Sequence, residues 1–522
     1  MRRIASALLA LATVTLCYAQ PHAAVPIEMP PGTVIDHQSA ESRQYIGSPS
    51  IVVAPNGDYV ASHDLFGPGS TSTASAVSKV FLSHDRGVTW KQAAEMNDQF
   101  WSNLFVHGDR LYLMGTTYEY GRIVIRESRD NGAHWSKAHL LTVDTGYHTA
   151  PMPMVTRDGR LYRAFEYHPE GPWGSFQALM LSAPVDADLT DRKSWTMTPR
   201  VGFPAGDEGR TWLEGNAVIG PRGDVLDILR VDNRERAAIL ALHDGKLAVQ
   251  QFVTMPGGAK KFTIRYDSRS KLYWSLVNPA LPGEALSVST PASVRNTLAL
   301  VSSPDLQHWT PRSIVMQHAD AAYFGFQYVD WQFDGDDILA VVRTSFADEA
   351  GNAHTYHDAN FMLFQRIARF REAGTVALTG TPFRVAEVED GTLMKKWTAL
   401  TLADAQRAPA GVASEPIGLY GNHTTTLTTR TRTGQPEQHR DWFDVFYAVA
   451  GHARLVSGGT LTGSTTVADG ELRGSGIVGG TSTQVDPGTA IHIDPGVPHQ
   501  LLIDETEPFT YFVVKVHVDK VP

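Results

Sequence analysis

Six segments of the sequence share a strand pattern, and four of them place an ionisable residue at the same position. They align as short alternating or apolar strands, each following a turn: DYVASHDL, RLYLMGTT, RLYRAFEY, DVLDILRV, KLYWSLVN and DILAVVRT. Four residues beyond Tyr59, Tyr112, Tyr162, Leu226, Tyr273 and Leu339, the sequence has His63, Thr116, Glu166, Arg230, Val277 and Arg343. Because the strands are otherwise largely apolar, we expect the ionisable four to line one binding funnel.

Three residues close to these strands add to the candidate site. His148 lies in Tyr147–Pro151 ahead of the third segment, Glu214 lies in Trp212–Asn216 ahead of the fourth, and His357 follows the sixth. A loop histidine or a buried carboxylate is often purely structural. Their recurrence at strand starts is what makes these three residues candidates.

Two reaction classes fit this set of residues. Glycoside hydrolysis usually requires two carboxylates that flank the bond. β-Elimination at a uronate instead requires arginine on the substrate carboxylate and a His or Tyr that moves the proton. The arginines and histidines favour elimination, whereas Glu214 and Asp330 leave hydrolysis open. We expect His63 and His148 to be catalytic, and the substrate to be bound by Glu166, Glu214, Arg230, Arg343 and His357.

Composition excludes several other functions. The 522 residues are 42% hydrophobic and 19% charged, which suits two or three domains with large cores. A formal net charge of −10 argues against nucleic acid as a partner, but leaves room for an acidic saccharide in a locally basic pocket. The single cysteine, Cys17, precedes the expected mature chain, so we expect no disulfide, thiolate nucleophile or cysteine-ligated metal.

The first 19 residues have the features of a signal peptide. Arg2 and Arg3 precede the apolar run 4–16, and small residues lie before a cleavage site after Ala19. The run is too short for an ordinary membrane span. We therefore expect a protein without a membrane span that is secreted or periplasmic.

Two turn motifs indicate the fold of the first domain. Residues 83–90 and 128–135 share the pattern S-x-D-x-G-x-[TH]-W, in which Asp accepts turn amides, Gly takes positive φ and Trp packs the turn onto the sheet. The pattern resembles the Asp-box of sialidase-like β-propellers, where it is structural. With strand repeats about 47 to 66 residues apart, it predicts an all-β propeller over residues 30–386. We expect six blades, or seven if one divergent repeat is hidden.

A second domain is expected over residues 394–522. Gly434–Gly451 and Gly488–His499 resemble the two motifs of cupins, which form a double-stranded β-helix barrel. The resemblance implies a metal site at His439 and His499, with Asp441 in place of a histidine and Asp444 in place of a glutamate. Two histidines and two carboxylates can hold divalent Mn, Fe or Zn. A degenerate barrel would instead be a structural or sugar-sensing module, and an oligomer could form through this domain.

The first domain departs from sialidases. Those begin with an Arg-Ile-Pro segment whose arginine binds the sialic acid carboxylate, and this chain has Tyr45-Ile-Gly-Ser-Pro49 instead. Secreted propellers that cleave L-rhamnose from D-glucuronate, both rhamnosidases and lyases, are more similar, in Ile46–Ser50, Ser62–Gly67, Tyr147–Pro151 and Arg343-Thr344. That resemblance implies a catalytic histidine at His63 and a uronate held by Arg230 and Arg343.

We therefore expect a secreted carbohydrate-active enzyme that acts on an acidic oligo- or polysaccharide by β-elimination at a glucuronate bearing terminal rhamnose. The first alternative is an exo-glycosidase in the same funnel. The second is a non-catalytic glycan-binding propeller with a sugar-sensing cupin, and the third places metal-dependent chemistry in the cupin.

Overall fold

Strands dominate the described part of the chain, which comprises residues 29–168, 174–206, 211–281, 290–378, 391–419, 423–468 and 470–518 of the computed structural model. The predicted signal peptide, residues 1–19, lies outside these ranges, as does most of the junction between the two expected domains. No helix within the described ranges is long and apolar enough to cross a membrane.

Six antiparallel sheets, each with four main strand positions, make up the first domain. After β1 (Thr33–His37), the first sheet contains β2 (Tyr45–Ile46), β3 (Ser50–Val53), β4 (Tyr59–Phe66), β5 (Val77–Ser83) and β6 (Lys91–Asn97). The second contains β7 (Phe100–His107), β8 (Arg110–Thr116), β9 (Ile123–Ser128) and β10 (His139–Leu140). The third contains β11 (Tyr147–His148), β12 (Val155–Arg157), β13 (Arg160–Tyr167), β14 (Gln177–Pro184), β15 (Thr196–Met197) and β16 (Val201–Gly202).

The remaining three sheets repeat the same meander. The fourth contains β17 (Trp212–Ile219), β18 (Val225–Val231), β19 (Arg236–His243) and β20 (Lys246–Thr254). The fifth contains β21 (Thr263–Asp267), β22 (Leu272–Val277), β23 (Thr297–Ser303) and β24 (Thr310–Gln317). The sixth contains β25 (Gly325–Asp334), β26 (Asp337–Ser345) and β27 (Phe361–Ile367), and β1 completes it. Four-stranded meanders of this kind are the repeat unit of β-propellers.

The first strand of each sheet lies nearest the centre of the ring. First strands of neighbouring sheets contact one another, as β25 does with β3, β3 with β7, and β17 with β21. The segments aligned in the sequence are β4, β8, β13, β18, β22 and β26, which are second strands, so their assignment as innermost strands is wrong. A second strand has neighbours on both sides and is buried on both faces, which explains why its apolar pattern is the most regular.

The last sheet is completed by the first strand of the chain. β1 pairs antiparallel with β27, with Thr33 opposite Phe364 and His37 opposite Phe361. The strand therefore joins the two ends of the first domain.

The two repeated turn motifs lie between the third and fourth strands, at the outer edge of their sheets. In the first motif, Ser83 Oγ donates to Asp85 Oδ1 (2.8 Å) and the Gly87 amide donates to Ser83 Oγ (2.8 Å). Trp90 Nε1 donates to the Gly87 carbonyl (3.2 Å). Gly87 has a φ of 90°, and a Cβ there would lie 2.3 Å from the Phe364 ring, so the turn requires glycine. These hydrogen bonds hold the turn between the third and fourth strands at the outer edge of the sheet.

The described part of the second domain contains a helix, two facing sheets and a small two-stranded sheet. It contains α1 (Gly391–Arg407), β28 (Val412–Leu419), β29 (His423–Arg430), β30 (Glu437–His439), β31 (Trp442–Ala450), β32 (Ala453–Ser457), β33 (Thr460–Thr462), β34 (Thr465–Ala468), β35 (Glu471–Arg473), β36 (Gly476–Val478), β37 (Thr481–Val485), β38 (Ala490–Ile493), β39 (His499–Ile503) and β40 (Phe509–His517). One sheet has the order β28-β29-β40-β31-β38, and the other has the order β34-β35-β30-β39-β32-β37. Phe446 and Tyr511 of the first sheet pack with Leu455 and Leu501 of the second in one core.

Candidate functional site

A cavity of about 290 Å³ receives side chains from all six sheets of the first domain. Its polar lining consists of Ser48, Asp64, Glu119, Tyr120, His148, Glu214, Arg230, Asp232, Arg295, Tyr328, Arg343 and His357. Phe66, Phe100 and Trp101 add aromatic surface. A cavity shared by every sheet lies on the axis of the ring, where the sequence predicts a funnel.

Three of the lining residues occupy equivalent breaks in first strands. Trp101 in β7, Glu214 in β17 and Tyr328 in β25 have positive φ values of 48°, 59° and 53°. At each of them the pairing register shifts, and such a bulge re-aims a side chain. A left-handed backbone at a non-glycine residue costs about 1–3 kcal/mol and is concentrated at functional sites. The bulges therefore direct these three side chains to the cavity.

A tyrosine, a glutamate and an arginine form a chain of contacts in the cavity wall. The Tyr328 hydroxyl donates to Glu214 Oε1 over 2.8 Å, and Arg230 Nε lies 2.9 Å from Glu214 Oε2. Burial raises the pKa of the Tyr328 hydroxyl, as does the charge of Glu214, whereas nearby arginines oppose the rise. A phenol that already donates to a carboxylate can transfer its proton there when its oxygen attacks an electrophile.

Two further arginines face the cavity without a carboxylate ion pair among the described residues. Arg343 Cζ lies 4.4 Å from the centre of the Phe66 ring and 4.7 Å from that of Tyr328. Arg295 Cζ lies 5.6 Å from the Tyr328 ring, and its guanidinium donates to the side chain of Gln327. Burial lowers the pKa of Arg343 to about 10, so the group stays cationic at neutral pH. A ligand carboxylate beside these groups would receive charge-assisted hydrogen bonds.

Glu119, in the loop between β8 and β9, adds a half-buried carboxyl group to the lining. Burial raises its pKa above the ordinary value, and nearby His148 opposes the rise. No hydrogen bond from a described residue to the Glu119 carboxyl group offsets this effect. A carboxyl group that keeps its proton towards neutral pH suits the part of a general acid.

His148 and Glu166 form a pair beside the cavity. His148 Nδ1 lies 2.8 Å from Glu166 Oε2, and Glu166 Oε1 accepts a hydrogen bond from the Gly215 amide (2.8 Å). The Trp101 ring packs edge-on against His148, with 4.4 Å between centroids. Glu166 is 1% exposed and is not part of the lining. It therefore orients His148, and the predicted contact between Glu166 and sugar hydroxyls does not fit this geometry.

Asp64 is held by backbone amides from two neighbouring sheets. Its Oδ1 accepts from the Ser48 amide (2.9 Å) and its Oδ2 from the Trp101 amide (2.6 Å). Burial raises the pKa of Asp64 to about 6, against the effect of these two bonds. Since both oxygens are engaged, Asp64 fastens the first sheet to the second at the cavity wall.

The cavity lining includes five of the seven residues predicted for the first domain's site, namely His148, Glu214, Arg230, Arg343 and His357. His63 is not among them. Its Nδ1 lies 2.9 Å from the Asp64 carbonyl, its Nε2 lies 2.9 Å from Asp36 Oδ2 of β1, and its ring stacks on Phe81. Successive residues of a strand point to opposite faces, so Asp64 faces the cavity and His63 does not. The geometry does not support the catalytic part predicted for His63.

His357 meets the cavity as an uncharged group. Burial and the charge of Arg343 lower its pKa, although Asp358 Oδ1 lies 3.0 Å from its Nδ1. A neutral imidazole suits a hydrogen bond to a sugar hydroxyl, and substrate binding is the part predicted for His357.

Sequence reasoning missed Asp64 of β4 and several residues that bulges and loops supply, among them Trp101, Glu119, Arg295 and Tyr328. The sequence does contain a pattern that marks the positions of the bulges. Two residues beyond Trp101, Glu214 and Tyr328 the sequence has Asn103, Asn216 and Asp330, and all three are buried. A buried Asn or Asp recurring at one place in a first strand is unusual enough to mark the position.

A second cluster, of metal-binding residue types, lies in the C-terminal domain. Ligand atoms of Glu437, His439 and His499 lie within 4.8 Å of one another. Asp444 Oδ2 lies 3.3 Å from His439 Nε2 and 3.5 Å from His499 Nε2. Four candidate ligand groups therefore converge between β30, β31 and β39.

The two imidazoles are oriented as metal ligands usually are. His439 Nδ1 lies 2.5 Å from Glu471 Oε2, and His499 Nδ1 lies 3.1 Å from the Val497 carbonyl. Both Nε2 atoms are thus left facing the cluster. Neither carboxylate oxygen of Asp444 has a hydrogen-bond partner among the described residues, nor does His499 Nε2. The donor set of two imidazoles and two carboxylates fits a divalent transition metal.

Asp441 does not belong to this cluster, contrary to the sequence prediction. Its carboxylate accepts from Arg440 Nε (2.9 Å) and Nη2 (2.8 Å). Glu437 takes its place, because β30 alternates its side chains and residues 437 and 439 share a face. On β30 and β31 the candidate ligands are therefore Glu437, His439 and Asp444, with Glu437 in place of Asp441.

A lysine already brings positive charge to the cluster. Lys515 Nζ lies 3.0 Å from His439 Nε2 and 3.4 Å from Asp444 Oδ1. A metal ion at this place would have to displace that ammonium group.

Comparison with known proteins finds partial structural similarity only. No protein-family model matches the sequence, and no curated protein matches it. An α-L-arabinanase from Penicillium chrysogenum in complex with arabinobiose is 12% identical, with a TM-score of 0.43 over 66% of this chain and 98% of that one. The Hadza microbial sialidase Hz136 is 13% identical, with a TM-score of 0.47 over 65% and 68%. The sialidase of Trypanosoma rangeli is 11% identical, with a TM-score of 0.46 over 94% and 95%.

Proposed function

We propose that the first domain is an exo-acting glycosidase that releases an acidic sugar from the end of a saccharide. The observation that carries this proposal is the hydrogen bond between Tyr328 and Glu214 in a cavity lined by three arginines. One class of glycosidases uses a tyrosine nucleophile in place of a carboxylate. A neutral phenol suits an anionic sugar because the attacking group is not repelled by the substrate's charge. Residues from the strands and connecting loops of all six sheets surround the cavity, and such an enclosed cavity suits the end of a saccharide chain.

Two displacements at one carbon describe the proposed reaction. In the first, the Tyr328 oxygen attacks the anomeric carbon, its proton passes to Glu214, and Glu119 protonates the leaving oxygen as the glycosidic bond breaks. In the second, Glu119 takes a proton from water, the water oxygen attacks the same carbon, and Glu214 returns its proton to the departing phenolate. Two inversions retain the anomeric configuration.

The arginines define the substrate class. Arg295 and Arg343 lie over the Tyr328 ring, and the charge of Arg230 acts on the Tyr328 hydroxyl. These three arginines would hold the sugar carboxylate through paired hydrogen bonds. The arginine with which sialidases begin is absent at Tyr45–Pro49, and Arg343 comes instead from the sixth sheet. We therefore propose a uronic acid rather than a sialic acid as the sugar.

Chromogenic substrates test this function directly. The full-length protein should release 4-nitrophenol from at least one anomer of a uronic acid glycoside and much more slowly from the matching neutral glycoside. Tyr328→Phe, which keeps the ring and removes the nucleophile, should lower kcat at least about 100-fold. A 2-fluoro uronosyl fluoride should label Tyr328, as read by mass spectrometry. Full activity of the phenylalanine variant would contradict the proposal.

The same arginines support a second candidate, β-elimination at a uronate. The His148–Glu166 pair favours it, because an oriented imidazole beside a neutralised carboxylate could remove the C5 proton. Elimination gives an unsaturated uronate that absorbs ultraviolet light, whereas hydrolysis does not. His148→Gln should abolish elimination and leave hydrolysis through Tyr328 measurable, so absorbance on acidic oligosaccharides separates the two reactions.

For the second domain we propose a divalent metal site formed by Glu437, His439, Asp444 and His499. The convergence of Asp444 with two oriented imidazoles supports it. A bound ion would supply Lewis acidity or hold an anionic group of the saccharide. Elemental analysis after incubation with Mn²⁺, Fe²⁺ or Zn²⁺ should find about one ion per chain, lost in a His439→Ala/His499→Ala variant. His452→Ala, at an exposed histidine of the same domain, should retain the ion.

A further inference from the structure

Arg43 joins the two domains through ion pairs in which every member is largely buried. It precedes β2 in the first domain, and its Nη2 lies 2.8 Å from Asp404 Oδ2 of α1 and 3.4 Å from Glu415 Oε2 of β28. The three side chains are 13% exposed or less. Buried pairs of this kind fix geometry more tightly than exposed ones, because a displaced partner would leave an uncompensated charge.

The segment that carries Arg43 continues into the cavity wall. Tyr45 is buried, its ring packs against Phe66 with 5.3 Å between centroids, and its hydroxyl lies 2.5 Å from His354 Nδ1. Phe66 lines the cavity and supports Arg343, whose Cζ lies 4.4 Å from the Phe66 ring. A shift at Arg43 would therefore reach Arg343 through two packed rings.

Carboxyl groups from both domains lie close to Arg43. Asp404 and Glu415 of the second domain pair with it directly, and the charge of Asp358, from the first domain, acts on Glu415 and Tyr45. Arg407 also pairs with Asp404, but from an exposed position. Without Arg43, Glu415 and Asp358 would repel each other across the domain boundary.

We propose that the C-terminal domain is a positioning element of the substrate cavity, with Asp404 and Glu415 holding Arg43 so that Tyr45 fixes Phe66 beneath Arg343. That the cavity binds substrate rests on the proposed function. The coupling between Arg43 and the cavity wall can be tested without it. The second domain then acts on the first through this contact, whether or not it binds a metal ion or a sugar.

Three full-length variants test the coupling. Arg43→Met removes the positive charge. Arg43→Lys keeps the charge but not the planar guanidinium that pairs with two carboxylates, and Arg407→Met is the matched control. Arg407 is an exposed partner of the same Asp404 and does not touch the first domain. Hydrogen exchange at the Ile46 and Gly47 amides, which donate to the Ala359 and Asp64 carbonyls, reports on the wall itself. Arg43→Met should speed this exchange about tenfold or more, and the control should not.

Kinetics provide the second measurement. Arg43→Met should raise KM for a uronic acid glycoside about tenfold with a smaller change in kcat, because the substrate carboxylate site is displaced while Tyr328 and Glu214 stay in place. Arg43→Lys should lie between wild type and Arg43→Met, and it serves as the main variant should Arg43→Met not fold. Exchange and KM that match Arg407→Met in both Arg43 variants would overturn the inference. A wild-type chain inactive on every uronide would overturn the proposed function, and hydrogen exchange would still decide the coupling.

Discussion

At the scale of single residues, the proposed nucleophile, base and acid have different surroundings. Tyr328 donates to Glu214, which also faces Arg230, whereas the Glu119 carboxyl group accepts no such bond from a described residue and burial raises its pKa. These surroundings suit Glu214 as the proton acceptor for Tyr328 and Glu119 as the proton donor.

The acid function of Glu119 predicts a leaving-group effect. Glu119→Gln should lower kcat about 100-fold or more for alkyl uronides, whose leaving oxygen needs a proton, and much less for 4-nitrophenyl uronides. The raised pKa keeps the wild-type carboxyl group protonated to higher pH, so wild-type activity should fall as pH rises through that pKa. The pH profile of Glu119→Gln should lack this fall in activity at high pH. Equal losses on both substrates would assign the proton donation to another group.

The cationic lining predicts a charge-specific loss. Arg295→Met should lower kcat/KM for a uronide by about 10- to 100-fold, since a charge-assisted hydrogen bond to the carboxylate is lost. The rate on the neutral glycoside should change little. Arg312→Met is a suitable control, because this arginine lies on the outer strand β24 against Trp274. A similar loss on both sugars would mean that Arg295 is needed for folding rather than for recognition.

At the scale of elements, the first strands build the site by breaking their own pairing. The bulges in β7, β17 and β25 aim side chains at the axis, and the gap between β2 and β3 is closed by the Asp64 carboxylate. Gly47 lies in that gap, and a Cβ there would lie 1.6 Å from Asp64 Oδ1. The cavity wall therefore depends on one missing methyl group.

A methyl group at Gly47 should disturb the site more than the fold. Gly47→Ala should displace Asp64 from the Ser48 and Trp101 amides and lower kcat/KM about 10- to 100-fold. The free energy of unfolding should fall by about 1–3 kcal/mol for the lost buried bonds. Gly202→Ala in β16, where a Cβ would meet nothing within 4 Å, is the control for kinetics and for denaturant unfolding. Unchanged activity of Gly47→Ala would show that Asp64 does not shape the cavity.

The sequence predicts elements better than it predicts their order from the axis. Apolar alternation in the second strands and the S-x-D-x-G turns mark the repeats because both are local properties of the chain. Which strand is innermost depends on packing between sheets, which no single segment encodes. The choice of His63 over Asp64 follows from that error, since the two neighbours point to opposite faces of β4. Tyr328 was missed because it lies in the first strand β25, which an alignment of second strands does not include.

At the scale of the whole molecule, two domains meet at a cluster with more acidic than basic groups. Burial raises the pKa of Glu415 to about 7, and Asp358 and Asp404 add to the rise while Arg43 opposes it. The folded state thus binds a proton that the unfolded chain releases near its ordinary value of 4.5. The contribution of Glu415 to the free energy of unfolding is therefore fully present below pH 4.5, and it is lost as the pH rises through about 7.

The domain contact therefore predicts a pH-dependent stability. The glutamine in Glu415→Gln cannot ionise. The free energy of unfolding of this variant, relative to that of wild type, should therefore rise by about 1–3 kcal/mol between pH 5 and pH 8. Thermal unfolding at several pH values measures this as a difference in Tm that widens as pH rises. Glu505→Gln, at an exposed glutamate of the same domain, is the matched control. A difference in Tm that does not widen with pH for Glu415→Gln would mean that the buried carboxyl group does not titrate in this range.

The closure of the last sheet by β1 has a consequence for how the protein is made. A ribosome produces Thr33–His37 near the start of the domain and β27, its pairing strand, near the end. The sixth sheet is therefore complete only when the two ends of the first domain have come together. Asp36 of β1 also contacts the first sheet, with its Oδ2 2.9 Å from His63 Nε2 and 3.3 Å from Lys79 Nζ. His63 thus joins the strand that closes the sixth sheet to the first sheet.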